Sequence, residues 1–351
     1  YPFNLTGILY FPKISNDLNL QKDRIQLYQN QVFVTDNVEG IVPEFLGLLK
    51  GVIDSPDIPL NVSRSYLQSD ASVKKITNYI TRKVADKLNS IFKNERENLE
   101  SKWNDIKVVI EYGMLTEDKF YDKAESFNLY PTVDDKYFTY EELEKKIKKL
   151  QTDKDGNLII LYAQNKDEQY TYIESAKEKG YEVLLLDSPI IPHLMQKLES
   201  KKEKIKFSRV DSDTLENLIK KDEEVISKLT DEEKEKLKPM IETAVENEKY
   251  TVQLEALDSN SMPFMLAQPE FMRRMKEMQQ TGGGAMGNLP DMYSLIVNTN
   301  HELVDKILNT RTEKKRSSLI KQSIDLAKLS QNNLTGKDLT EFINRSIDLI
   351  K

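Results

Sequence analysis

The chain has 351 residues, 31% charged and 38% hydrophobic, which is room for two or three domains with separate cores. Its net charge is −7 with 51 basic residues, so no basic field points to nucleic acid, and no apolar run approaches the length of a membrane span. The lack of cysteine removes disulfides and thiolate chemistry, and two histidines far apart, His193 and His301, leave no basis for a metal centre or a histidine triad.

The chain begins at Tyr1 without a signal-peptide pattern and reads as a piece that starts inside a domain. "YPFNLTGILYFP" alternates as a strand does, and "QVFVTD" at 31–36 is a second short strand. "PEFLGLLKGVID" at 43–54 is apolar at helical spacing through Phe45, Leu46, Leu49 and Val52, which predicts a helix. Pro56 and Pro59 then force extended backbone and predict a loop over 55–64. A long helix follows, with Asp70 or Ser72 as N-cap, Val73, Ile76, Ile80, Val84, Leu88 and Ile91 on one face and Lys74, Lys75, Arg82, Lys83 and Lys87 on others.

From about 136 strands and helices alternate: "LIILYA" (158–163), a helix around 166–179 ended by Gly180, "EVLLLD" (182–187), a helix around 190–200, and "KIKFSRV" (204–210). The strands are continuous apolar runs, as a parallel sheet covered on both faces requires, and no dinucleotide fingerprint follows them. "TDKDGN" at 152–157 has the wrong acidic spacing for a calcium loop and predicts a hairpin turn. The charged stretch between roughly 211 and 238 marks a boundary; Thr230 and Glu233 form a capping box, and Pro239 should start or kink the next helix.

After a strand in "KYTVQLEAL" (249–257), seven of the ten methionines fall between 262 and 292: Met262, Met265, Met272, Met275, Met278, Met286 and Met292, joined by Phe264, Leu266 and Phe271. Two placements fit, a buried core helix or an adaptable apolar binding surface, since methionine is unbranched and polarizable. Arg273, Arg274, Lys276 and Glu277 beside the methionines and the "TGGGAMG" tether after them suit the second. Two C-terminal helices follow, with Leu319, Ile320, Ile324, Ala327 and Leu329 on the first and Leu339, Phe342, Ile343, Ile347 and Ile350 on the second, separated by a turn at Asn332–Asn333. Their apolar faces predict either a symmetric dimer through a four-helix bundle or packing on the body of the same domain.

The stretch "VFVTDNVEGIVPEFLGLLKGVIDSPDIPLNVSRSYLQ" at 32–68 closely resembles the middle-domain signature of the heat-shock 90 chaperones, most of all the bacterial high-temperature protein G branch. A weaker resemblance runs through "LIILYA", "KEKGYEVLLLD" and the C-terminal helices, covering essentially the whole chain. It implies an α+β to α/β multidomain fold: a middle domain of two α/β units joined by helices, then a mixed α/β C-terminal domain ending in a dimerisation bundle. The expected divisions are 1–112, a helical connector at 113–135, 136–212, and 213–351.

The resemblance further implies an ATP-dependent chaperone whose N-terminal ATPase domain, holding ATP with Mg, is absent from this chain. Carried over, Arg64 reaches the γ-phosphate, Gln68 lies nearby, and Asn61 and Ser63 shape the loop. No nucleotide is expected to bind the chain by itself, and no turnover is expected of it. Ser65 departs from the acidic residue common after that arginine, and "RSIDLIK" replaces the M-E-E-V-D terminus that recruits tetratricopeptide co-chaperones. The implied partners are a second copy and unfolded client proteins, with contacts at Phe271, Met272, Met275 and Met278 and also Met262, Phe264 and Met265; the implied compartment is the bacterial cytoplasm. Two other readings stay open on the residues: a self-sufficient α/β enzyme using carboxylate acid/base chemistry, and the transducer of a topoisomerase or mismatch-repair ATPase, which carries a lysine where Arg64 stands.

Overall fold

The computed structural model describes residues 4–12, 25–36, 42–57, 71–222, 225–245, 249–282 and 292–350. Contacts gather the chain into two units, one formed by residues 1–131, 135–145 and 188–201, the other by 132–134, 146–187 and 202–351. The expected divisions at 136 and 212 do not coincide with these boundaries, because most of 136–212 shares the second unit with the C-terminal segment.

The first unit carries a four-stranded sheet in the order β1-β4-β2-β3, from β1 (Thr6–Tyr10), β2 (Ile25–Gln29), β3 (Val32–Thr35) and β4 (Lys50–Asp54). β2 and β3 join through Asn30 and Gln31, both at positive φ, the two-residue hairpin whose twist matches that of the strands. The helix expected over 43–54 is a correction: a 3-10 helix covers Glu44–Leu48, and the second half is β4. "KGVID" also alternates, with Ile53 buried and Val52 exposed, and pairing on both edges favours the strand. The helices Ala71–Asn94 and Arg96–Thr116 cover the unit; the first buries Ile76, Ile80 and Leu88 as its pattern predicts, and starts early enough that Ser72 lies in its first turn, while Asp70 is outside the described residues.

Trp103, the single tryptophan, is fully buried with Phe45, Phe120 and Phe127 in this unit. Phe45 and Phe120 lie 4.6 Å apart between ring centroids, and Gly113 makes the room, since a Cβ there would come within 2.7 Å of the Phe45 ring. The helix Ile191–Lys201 belongs to this unit as well: Lys197 pairs with Asp118 at 2.9 Å and Lys201 sits 4.2 Å from the centre of the Tyr121 ring.

β1 and β4 approach closely because Gly51 adopts φ +144 and lacks a side chain; a Cβ there would stand 1.9 Å from the Ile8 carbonyl oxygen. Gly51→Ala is therefore expected to destabilise the first unit by about 2 kcal/mol or more, read by Trp103 fluorescence in denaturant. Gly47→Ala, where a Cβ meets nothing within 4 Å, should leave the midpoint in place, and equal effects of the two would contradict the close approach as the cause.

Two short strands of the first unit, β5 (Tyr130–Pro131) and β6 (Tyr137–Phe138), pair antiparallel. In the second unit β7 (Leu158–Ala163) lies between β8 (Val183–Leu185) and β9 (Ile205–Arg209), all parallel, and every residue of β7 is buried, as its unbroken apolar run predicts. The turn at 152–157 is a hairpin: the Asp153 carboxylate accepts backbone N–H bonds from Asp155 and Asn157. A second sheet sets β12 (Tyr293–Asn298) between β10 (Tyr250–Glu255), parallel to it, and β11 (Phe264–Ala267), antiparallel. The capping box of Thr230 and Glu233 opens the helix Asp231–Glu242, but Pro239 lies inside it and starts nothing new. The carbonyl that Pro239 cannot bond is that of Glu235, on an exposed stretch where water can reach it.

The core of this sheet and its helices contains Leu237, Ile241, Val252, Phe264, Leu266, Leu295, Val297, Val304, Ile307, Ile320 and Ile324. At the end of β12, Asn298 is buried and its side chain ties Leu257, Asp258 and Asn300 backbone groups together, a polar hub that follows from no pattern singled out in the sequence.

Candidate functional site

Asn61, Ser63, Arg64, Ser65 and Gln68 lie outside the described residues, and so does Met286. The described flanks of that loop are well held. β4 ends at Asp54, Ser55 is buried with its N–H donated to the Tyr28 carbonyl, and the chain is next described at Ala71, where a helix begins.

The methionine-rich segment divides between core and surface. Phe264, at 2% exposure, is a core residue of β11, whereas Met265 packs partly against two other apolar clusters, one with Leu161 and Val210 and one with Leu257 and Ile296. Met262 is exposed. The helix Glu270–Gly282 is unusual in which side it buries. Phe271 is 71% exposed and Met272, Met275 and Met278 are half-buried, whereas Arg273 is 3% exposed. An amphipathic helix ordinarily turns its apolar side inward and its charges to water.

Here the inward charges meet the ends of two parallel strands. Tyr162 of β7 and Arg209 of β9 are register partners, and both reach Glu270. The Tyr162 hydroxyl donates to Glu270 Oε1 at 2.7 Å and accepts from Arg273 Nη2, while the Arg209 backbone N–H donates to Glu270 Oε2 at 3.0 Å. Arg273 and Arg274 each donate to Glu270 Oε1 at 2.6 Å, Arg273 also bridges to Glu277, and Arg274 donates to the Phe207 carbonyl. Arg209 pairs with Asp211 and donates to Gln164 Oε1 at 3.0 Å.

The charges within this cluster reinforce one another. Burial pushes the Glu270 carboxyl up, but Arg273 and Arg274 more than reverse that and hold it below its ordinary 4.5. Burial pushes the Tyr162 hydroxyl well up, with the Glu270 charge adding to it, so the phenol stays protonated. Burial works against the Arg273 cation, yet Glu270, Tyr162 and Glu277 raise it overall. The groups that meet Glu270 are Tyr162 from β7, the Arg209 backbone N–H at the end of β9, and Arg273 and Arg274 on its own helix; Asp211, just past β9, pairs with Arg209, and Glu277 with Arg273.

A carboxylate depressed in the folded state stabilises it fully above the unfolded value and progressively less as pH falls through the folded value. Amide exchange of residues 270–282, corrected for the chemical rate, should thus stay flat from about pH 8 to 5 and rise only below 4.5. A rise already near pH 6 would mean that some other group governs the helix.

The two C-terminal helices, Glu313–Ser330 and Gly336–Ile350, are joined by Arg345 to Asp325 and by Lys321 to Glu341 at 3.0 Å. Ile320, Ile324 and Phe342, expected at a dimer contact, are buried within the chain, the first two in the core of the second sheet and its helices. Leu319 and Leu339 are half-buried. Ile343 and Ile347, 47% and 46% exposed, lie on the outer face together with Ile350, and Leu326 and Leu329 are exposed on the preceding helix. Leu326 is absent from the apolar stripe read from the sequence, because a short helix shows where its apolar residues lie and not which stripe the core takes.

Among the described residues no group of three or more His, Asp or Glu side chains could hold a metal ion, and no helix is long and apolar enough to cross a membrane.

"Chaperone protein HtpG" of Bacteroides thetaiotaomicron is 46% identical over 419 aligned residues, covering 100% of this chain and 62% of the relative. The protein of the same name from Porphyromonas gingivalis is 51% identical over 334 residues, covering 94% of this chain and 49% of the relative. A more distant one from Myxococcus xanthus is 30% identical over 191 residues, covering 53% of the chain and 28% of its own length. The chain thus spans less than two thirds of the length of these relatives. The family described as Hsp90 protein matches residues 2–346, and the chain belongs to that family, in its HtpG branch.

Proposed function

We propose that the chain is the middle and C-terminal part of an ATP-dependent chaperone of the bacterial cytoplasm. Its parts are those expected from the sequence, a large α/β part over 1–112, a helical connector over 113–135, a small α/β part over 136–212 and a dimerising segment over 213–351. The observation that carries this reading is the match to the Hsp90 family over residues 2–346, nearly the full chain.

In this reading unfolded or partly folded clients bind at Phe271, Met272, Met275 and Met278, with Met262 nearby. Exposure of Phe271 and partial exposure of the methionines support it, since an adaptable apolar surface suits irregular partners. Arg64 supplies a guanidinium to the γ-phosphate of ATP, held with Mg by a preceding domain of the full-length protein, and Gln68 assists it. Phosphoryl transfer needs charge stabilisation more than covalent help, and the planar fork of donors suits phosphate oxygens. Asn61 and Ser63 shape the loop. Two copies pair through the outer faces of the C-terminal helices.

The purified chain should suppress aggregation of a thermally unfolding reporter protein and should show no ATP turnover. Failure to suppress aggregation at several-fold molar excess, or measurable turnover by the chain alone, would overturn the assignment.

A further inference from the structure

The helix Glu270–Gly282 cannot owe its position mainly to hydrophobic burial, because its largest apolar side chain, Phe271, is exposed and its methionines are only half-covered. The one fully buried side chain described on it, Arg273, is charged, and Glu270, Arg274 and Glu277 around it are partly buried. One carboxylate, Glu270, gathers a hydroxyl from β7, a backbone N–H from β9 and two guanidinia from its own helix, so both strands are tied to the helix's first turn. Arg273 adds the direct link back to Tyr162, and Arg274 reaches the Phe207 carbonyl of β9.

Such a cluster specifies orientation more sharply than an apolar contact does. A greasy face can slide or rotate over its neighbour at small cost, whereas a buried ion that loses its partners is left uncompensated in a low dielectric. Rotating this helix by a third of a turn would keep the ion pairs within it but would break at once the bonds of the Tyr162 hydroxyl and the Arg209 N–H to Glu270, of Arg273 to Tyr162 and of Arg274 to the Phe207 carbonyl.

We propose that Glu270, Arg273, Tyr162 and the Arg209 backbone form a polar latch that fixes which face the helix presents, holding its charges inward and Phe271 and the methionines outward. These are positioning residues: they touch no partner and act by setting the helix. The link to client capture rests on the function proposed above, while the latch itself does not.

The test is amide hydrogen exchange of the whole chain, together with the aggregation assay. Arg273→Met removes the buried cation while keeping an unbranched side chain, and Tyr162→Phe removes only the hydroxyl, so it retains the β7 core. Each should speed exchange in residues 270–282, by at least about tenfold for Arg273→Met and less for Tyr162→Phe, without changing β10 or β12. Phe271→Ser should leave exchange unchanged and lower aggregation suppression. Unchanged exchange in 270–282 for both latch variants would overturn the latch, and so would a rise shared equally by β10 and β12, since that reports general unfolding. Faster exchange confined to the helix with undiminished aggregation suppression would support the latch and count against client capture by this helix.

Discussion

Replacing Arg64 by alanine in the full-length protein is expected to lower ATP turnover by at least about a hundredfold while leaving nucleotide affinity nearly unchanged. The reason lies in when the contact matters. The transferring phosphoryl group spreads charge over its oxygens on the way to the transition state, so a guanidinium placed there stabilises the transition state more than bound ATP. A loss of that kind falls on turnover, not on binding. Arg64→Lys should recover only part of the rate, because an ammonium keeps the charge but not the fork. Single-turnover hydrolysis and equilibrium nucleotide titration on the same variants separate the two quantities. A collapse in affinity with normal turnover per bound ATP would remove Arg64 from the proposed role.

The double substitution Ile343→Glu and Ile347→Glu is expected to convert a dimer into a folded monomer. Both side chains lie on the outer face of the last helix, so the chain itself loses little when they change. In a twofold-symmetric pairing each substitution appears twice, placing four carboxylates in one apolar contact, where burial without partners costs several kcal/mol. Sedimentation velocity reads the association state, and circular dichroism checks that the helices persist. Ile324→Glu gives the contrasting result: its side chain is buried in the core, so the second unit should unfold whether or not it is paired. A wild-type chain that sediments as a monomer at tens of micromolar would exclude the pairing.

Much of the fold was legible where one pattern dominated. β7 is apolar at every position, and the helix Ala71–Asn94 keeps its stripe for many turns, so burial and type followed directly. The stretch 43–54 was misread because its apolar residues satisfy two periods at once, and only pairing of β4 with both β1 and β2 decides between them. β2 and its turn escaped notice since Asn30-Gln31 reaches positive φ without the usual glycine.

The candidate site was legible by composition and not by direction. The methionines and the charges beside them were plain, but the side that docks depends on Tyr162, 111 residues from Arg273. Phe264 was taken for surface because a four-residue strand leaves little alternation to read. The role given to Arg64 rests on family resemblance, as no local rule distinguishes it from any other loop arginine.

The helix Ile191–Lys201 lies in sequence between β8 and β9, yet it belongs with the first unit while both strands belong with the second. That arrangement bears on how the protein is made. During synthesis the first unit cannot close until residue 201 has left the ribosome, and by then β7 and β8 are already exposed and waiting for β9. A nascent chain halted near residue 190 would carry two unfinished cores at once, with apolar surface of both units open together at the same stage of synthesis.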